Sequence, residues 1–131
     1  MLDTELDVSC TITTRQVNDI AVVGLSGRFT LTDASGLIRG TVVELLAAGE
    51  KHILLDLAQV TYLDSAAGVG ELVSSYTTAL RQGAQVKLLN PGKNVDYVLH
   101  IVGLHNVFEI FDDESAAVHS FERPLAAQLS A

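Results

Sequence analysis

The stretch 51–81, KHILLDLAQVTYLDSAAGVGELVSSYTTALR, changes hydrophobic period in its middle, and that change limits the folds open to the chain. Residues 52–57 form a nearly continuous apolar run of strand length, as a strand covered on both faces requires. Val69, Leu72, Val73, Tyr76 and Leu80 then recur at helical spacing, which lays one apolar face on a sheet. A strand that feeds a helix in this way belongs to a right-handed βαβ crossover, so a mostly parallel sheet is predicted. Ser65 falls at the handover, at the C-terminal end of the strands, where α/β proteins usually place their sites.

The flanking sequence extends the same pattern. Val8, Cys10 and Ile12 alternate with polar residues, Asn18-Asp19 supplies turn chemistry, and 20–25 is a β-branched apolar run, so a hairpin opens the chain. Gly24 and Gly27 are expected to let the chain turn out of the second strand. Thr32 or Asp33 can cap a helix with an apolar stripe of Ala34, Leu37, Ile38, Thr41, Val42, Leu45 and Leu46, stopped by Gly49. Gly36 and Gly40 lie inside it, where each glycine costs roughly 1 kcal/mol relative to alanine, which suggests close approach to a neighbouring helix, with an exposed partner-binding face as the alternative.

After the central unit, Gly83 falls where a left-handed C-terminal cap belongs, and 86–89 reads as the next buried strand. Asn90-Pro91 reads as N-cap and first helical residue of a helix with Val95, Val98, Leu99 and Val102 on one face, ending at Gly103. A short strand is expected over 107–111. Asp112 or Asp113 then caps a last helix through Ala117, Val118 and Phe121, and the residues after Pro124 read as a frayed tail. The expectation is an α/β fold in the order β-β-α-β-α-β-α-β-α, with a mixed, mostly parallel sheet of about five strands and about four helices. It forms a single domain over 1–131, with its core over 8–121 and a tail over 122–131.

The formal charge of -8, from 16 acidic and 8 basic residues, argues against a nucleic-acid partner, because phosphates are met by clustered Lys and Arg. The single cysteine, Cys10, excludes an internal disulfide framework and reads as a small core residue in a reducing compartment. No segment approaches the roughly 18 apolar residues that span a bilayer. The opening MLDTELD is acidic where a signal peptide is basic, so a cytoplasmic protein that does not bind membranes is expected.

Enzyme chemistry is poorly served. Gly68-Val69-Gly70 opens a helix after a strand but lacks the third glycine of a dinucleotide fingerprint, and no glycine loop is followed by Gly-Lys-Ser or Gly-Lys-Thr. Ser65 has Leu63 and Ala67 where a nucleophile elbow has glycines. His52, His100, His105 and His119 are scattered, and the spacing of His100 and His105 does not put them on one helix face, so neither a metal nor a cofactor is expected. Asp112, Asp113 and Glu114 read as a helix N-terminus that satisfies the dipole.

Two roles remain open for Ser65. Its hydroxyl can cap a backbone N–H of the helix, worth about 1 kcal/mol. It can also accept a phosphate, which the unpaired N–H groups and the dipole of a helix N-terminus tolerate, and which adds about -1.5 to -2 charges beside Asp64 and near Thr30 and Asp33.

The order of elements, with LLDLAQVTYLDSAAGVGELV and QVKLLNPGKNVDYVLHIVGLHNVFEIFDDESAAVHSF, resembles the STAS domain of bacterial anti-sigma factor antagonists, also called anti-anti-sigma factors. Gly27-Arg28 and Gly103-Leu104 support the likeness, which runs through nearly the whole chain. The resemblance implies a non-enzymatic cytoplasmic regulator of transcription. It binds an anti-sigma factor with serine-kinase activity, is inactivated by phosphorylation of the loop serine, and is restored by a serine phosphatase. Carried over, Ser65 is the phosphoacceptor, Asp64, Ser65, Ala66, Ala67 and Gly68 form the recognition loop, and Arg28, Thr30 and Asp33 form the adjacent surface. The alternative is a STAS scaffold or small-ligand module, without phosphorylation, in a signalling or transport assembly. A weak homodimer through an edge strand is a further expectation.

The family usually has glycine three residues after the aspartate, whereas Asp64-Ser65-Ala66-Ala67-Gly68 places it four after. Counting forward from the strand makes Ser65 the phosphoacceptor; counting back from Gly68-Val69-Gly70 puts Ala66 there. An extra residue in a helix turns what precedes it by about 100°. Val69, Leu72 and Val73 are expected to pin the helix phase, so the loop should absorb the residue and leave Ser65 in place.

Overall fold

A computed structural model describes residues 10–121, and of residues 32, 33, 66 and 67 the backbone only. Strand β1 (Cys10–Val17) and β2 (Ile20–Phe29) form the expected hairpin, closed by Asn18-Asp19 with Asn18 at φ 55°. A single helical turn (Leu31–Ala34) and helix α1 (Leu37–Ala47) lead to β3 (His52–Leu63). A π turn (Ser65–Val69), α2 (Gly70–Arg81), β4 (Gln85–Leu89), α3 (Lys93–Ile101), a 3-10 turn (Leu104–Asn106), β5 (Ile110–Phe111) and α4 (Glu114–Phe121) complete it. Val8 and the tail over 122–131 lie outside the described residues.

The strands lie side by side in chain order, with β1 antiparallel to β2 and each later pair parallel. Because every crossover steps in the same direction across the sheet, right-handed connections put α1, α2 and α3 on one face. That face carries the larger core, in which Val23, Leu25, Ile53, Leu55, Val86 and Leu88 meet Ile38, Val42, Leu72, Val95 and Leu99. Helix α4 covers part of the other face, where Ala117, Val118 and Phe121 pack on Ile20, Val22, Leu54 and Leu89. Cys10 packs half-buried against the larger core.

Several expectations change in detail. The second strand does not leave the sheet at Gly24 and Gly27 but runs on to Phe29, with Gly27 at φ 96° where the register with β3 shifts. The helix expected from Ala34 onward is broken at Gly36, whose φ of 81° ends one helical turn and starts another. Thr32 and Asp33 therefore lie within the first turn, not ahead of a continuous helix. A Cβ on Gly36 or Gly40 would meet nothing within 4 Å, so neither glycine marks close helix contact.

On α2 the buried positions are Leu72, Ser75 and Ala79, while Val73 and Leu80 are exposed. Small side chains at 75 and 79 let the helix lie close on the sheet, which turns the bulkier residues outward. Asn90 adopts φ 52° and donates its N–H to the Phe111 carbonyl at 2.7 Å, so it extends the β4–β5 pairing, and Gly92 is the N-cap of α3. The strand expected over 107–111 is reduced to two residues by the 3-10 turn before it. Asp113 caps α4, with its Oδ2 accepting the Ala116 N–H at 2.9 Å.

Candidate functional site

Strand β3 outruns the apolar run that announces it. After Leu57 its buried residues are Val60 and Leu63, spaced by three because two register shifts against β2 interrupt the alternation. It ends where the Asp64 N–H donates to the Phe29 carbonyl at 3.1 Å. The Val69 N–H then donates to the Asp64 carbonyl at 2.9 Å, a bond from residue i to i−5 that defines the π turn. Such a turn holds one residue more than an α turn. The extra residue of Asp64-Ser65-Ala66-Ala67-Gly68 thus takes the form of a widened first turn, with Ser65 exposed at its start.

Two glycines make the turn sterically feasible. A Cβ on Gly68 would stand 2.4 Å from Leu63 Cγ, and one on Gly70 would stand 3.2 Å from the Ser65 carbonyl oxygen. Gly68 is buried and therefore supports the loop from beneath.

Carboxylates on either side of the turn reach across to the segment after β2. Asp64 Oδ2 accepts the Leu31 N–H at 2.6 Å, at the start of the single helical turn. Glu71 Oε1 accepts the N–H groups of Ile38 and Arg39 at 3.0 and 3.1 Å, and Oε2 accepts that of Gly36. These are the orphan donors of a helix N-terminus, and a carboxylate there also meets the positive end of the helix dipole. The cap of α1 is therefore supplied from α2. Arg39 Nε completes the junction by donating to Ser74 Oγ at 2.9 Å.

Of the residues expected at the site, Arg28, Thr30, Asp64, Ser65 and Gly68 come together at the C-terminal end of β2 and β3. Arg28 is exposed, with its guanidinium carbon 4.7 Å from the centre of the Tyr62 ring on the paired strand. Thr30 is half-buried, and its carbonyl accepts the Ala34 N–H at 2.7 Å. Asp33, Ala66 and Ala67 are placed by their backbone in the turns on either side. Sequence reasoning missed Glu71, whose capping of another helix leaves no local signal. It also missed the groove of about 270 Å³ between the end of β3 and α3, whose wall includes Tyr62 and Tyr97.

The histidines differ from expectation in one respect. His100 at the end of α3 and His105 in the 3-10 turn stack at 4.2 Å, because the chain reverses at Gly103, φ 80°. Among the described residues no group of three or more His, Cys, Asp or Glu side chains is placed to hold a metal ion, and no helix is long and apolar enough to cross a membrane.

A mixed-sheet α/β domain with an exposed serine turn at the C-terminal end of its parallel strands is the class that fold and site define. The STAS domain family model matches residues 11–117, and the chain belongs to that family. Its fold is similar to that of an anti-sigma factor antagonist from Mycobacterium paratuberculosis, with a TM-score of 0.75 and 18% identity over 86% of this chain and 93% of that one. It is similar also to the Bacillus cell fate determinant SpoIIAA in the phosphorylated form, with a TM-score of 0.67 and 19% identity over 86% of this chain and 100% of that one. The unphosphorylated form of the anti-sigma factor antagonist SpoIIAA gives a TM-score of 0.65 and 18% identity over 87% and 100%. At these identities the likeness is one of fold. No curated protein matches the sequence.

Proposed function

We propose that this protein is an anti-sigma factor antagonist that binds an anti-sigma factor with serine-kinase activity through the surface around Ser65, and that phosphorylation of Ser65 releases it. Membership of the STAS family and the fold shared with antagonists support the general role. The observation that carries the switch is the exposed Ser65 at the head of a π turn flanked by Asp64 and Glu71, both already committed to backbone N–H groups of the segment after β2.

A phosphate at this position adds about -1.5 to -2 charges next to Asp64. A partner that buries the loop then meets a dianion that must be desolvated, without any change of fold being required. In this reading a serine phosphatase restores binding, the protein works in the cytoplasm without nucleic acid or membrane, and Arg28 and Thr30 flank the contact.

The test is incubation with ATP and an anti-sigma factor that has serine-kinase activity. The intact mass is expected to rise by one phosphate, and Ser65→Ala to abolish the rise. No rise, or a rise that persists in Ser65→Ala, overturns the switch.

A further inference from the structure

A two-residue turn closes the β1–β2 hairpin with Val17 opposite Ile20, and in such a hairpin the closing pair exchanges both of its backbone hydrogen bonds. The register then runs without a shift to Cys10 opposite Gly27. By alternation, Val17, Arg15, Thr13 and Thr11 direct their N–H and C=O groups to β2, while those of Ile12, Thr14 and Gln16 point away from it. Among the described residues no strand lies on that side, so β1 is an edge of the sheet.

An open edge is a template for edge-to-edge pairing, and proteins that stay apart blunt it with proline, lysine, a bulge or a short strand. The strand CTITTRQV has none of these devices: it is eight residues long, holds no Pro or Lys, and pairs regularly with β2. Thr11, Ile12, Thr13, Thr14 and Val17 are β-branched, which suits cross-strand packing. The one charged side chain, Arg15, is turned onto its own chain by two hydrogen bonds to the Glu114 carboxylate of α4.

The same edge is complementary to itself. The formal charge of -8 that would hold two copies apart has no acidic member on β1. With a two-fold axis at the middle of the strand, antiparallel pairing sets the outward groups of Ile12, Thr14 and Gln16 against the same kind of group in the other copy. Arg15 then stands opposite Thr11 or Thr13 of the other copy, not opposite the other Arg15. The far edge of the sheet is β5, two residues long, so head-to-tail growth finds no acceptor strand and pairing closes at two copies.

We propose that two copies of this chain pair antiparallel through β1 about a two-fold axis, so that their five-stranded sheets join into one. A single strand edge covers less than the roughly 1,200 Å² at which stable interfaces begin, so the dimer is weak and fills with concentration. Salt strengthens it by screening the like net charges of the two copies. The contact uses neither Ser65 nor its loop, and the phosphorylation reading stands if this proposal fails.

The test is sedimentation equilibrium of the full chain up to about 1 mM, at low and high salt, with amide hydrogen exchange measured by nuclear magnetic resonance on the same samples. The mean mass is expected to climb from that of one chain toward that of two, further at high salt. Exchange at Ile12, Thr14 and Gln16 should slow with concentration, while exchange at Thr13 and Arg15 stays constant. Thr14→Pro removes an outward N–H, which an edge strand tolerates, and should hold the protein at the mass of one chain, whereas Thr14→Ala should keep the dimer. Circular dichroism checks that the proline variant is folded; if it is not, the exchange pattern of the parent decides. A mass of one chain throughout, a dimer that salt dissolves, a dimer that folded Thr14→Pro retains, or exchange at Ile12, Thr14 and Gln16 indifferent to concentration overturns the proposal.

Discussion

Glu71 is the residue whose replacement tests the architecture of the site most sharply, because one side chain of α2 caps another helix. Its carboxylate takes three backbone N–H groups, those of Gly36, Ile38 and Arg39, the last two at 3.0 and 3.1 Å. Losing an ordinary N-cap costs about 0.5–2 kcal/mol, and hydrogen bonds to charged groups lie at the stronger end of the range. Glu71 is only half-buried, so water recovers part of the loss. For Glu71→Ala the cost comes to about 2 kcal/mol, the upper end of that range. Glu71→Gln keeps one acceptor oxygen and loses the charge, which leaves a cost of about 1 kcal/mol.

The assay is equilibrium urea unfolding followed by far-ultraviolet circular dichroism. With a slope of roughly 1–3 kcal/mol/M, the alanine variant should unfold about 1 M earlier and the glutamine variant about half as far. An alanine variant within about 0.5 kcal/mol of the parent, or a glutamine variant as unstable as the alanine one, refutes the reasoning.

Two more substitutions probe the packing around the site. Gly68→Ala forces a Cβ to within 2.4 Å of Leu63 Cγ, so it should lower the melting temperature by the equivalent of about 1–3 kcal/mol, and combined with Leu63→Ala the two losses should be less than additive. Lys87 is 5% exposed on β4, donates to Ser120 Oγ at 2.8 Å and lies 4.5 Å from the centre of the Phe121 ring. Because burying a charge offsets most of what its partners supply, Lys87→Met should be within about 1 kcal/mol of the parent or more stable in denaturant titration, while Lys87→Ala should lose about 2–3 kcal/mol through the cavity it leaves.

What could be read in the sequence was whatever local chemistry decides. The period change across 51–81 places β3 and α2, Asn18-Asp19 closes the hairpin, and Gly49, Gly83 and Gly103 end helices at positive φ. What could not be read depends on the far side of a contact. Ala34, Ile38, Val42 and Leu46 keep a spacing of four across the break at Gly36, so the pattern looks continuous, and only the reach of Glu71 from another helix explains the interruption. Val73 and Leu80 outrank Ser75 and Ala79 in hydrophobicity, yet close packing on the sheet selects the smaller pair.

At the site, the one extra residue in Asp64-Ser65-Ala66-Ala67-Gly68 was visible by count, but its π-turn form follows from Gly68 seating against Leu63. Neither the extension of β3 beyond β4 nor the aromatic groove that results has a local signal, since β4 ends for reasons of its own at Asn90.

The central claim is that a phosphate on Ser65 governs partner binding, and calorimetric titration of the anti-sigma factor with the unmodified and the Ser65-phosphorylated chain tests it most directly. Phosphorylation should weaken binding by about tenfold or more, through the desolvation and repulsion of a dianion beside Asp64. Equal affinity for the two forms, or tighter binding of the phosphorylated one, contradicts it.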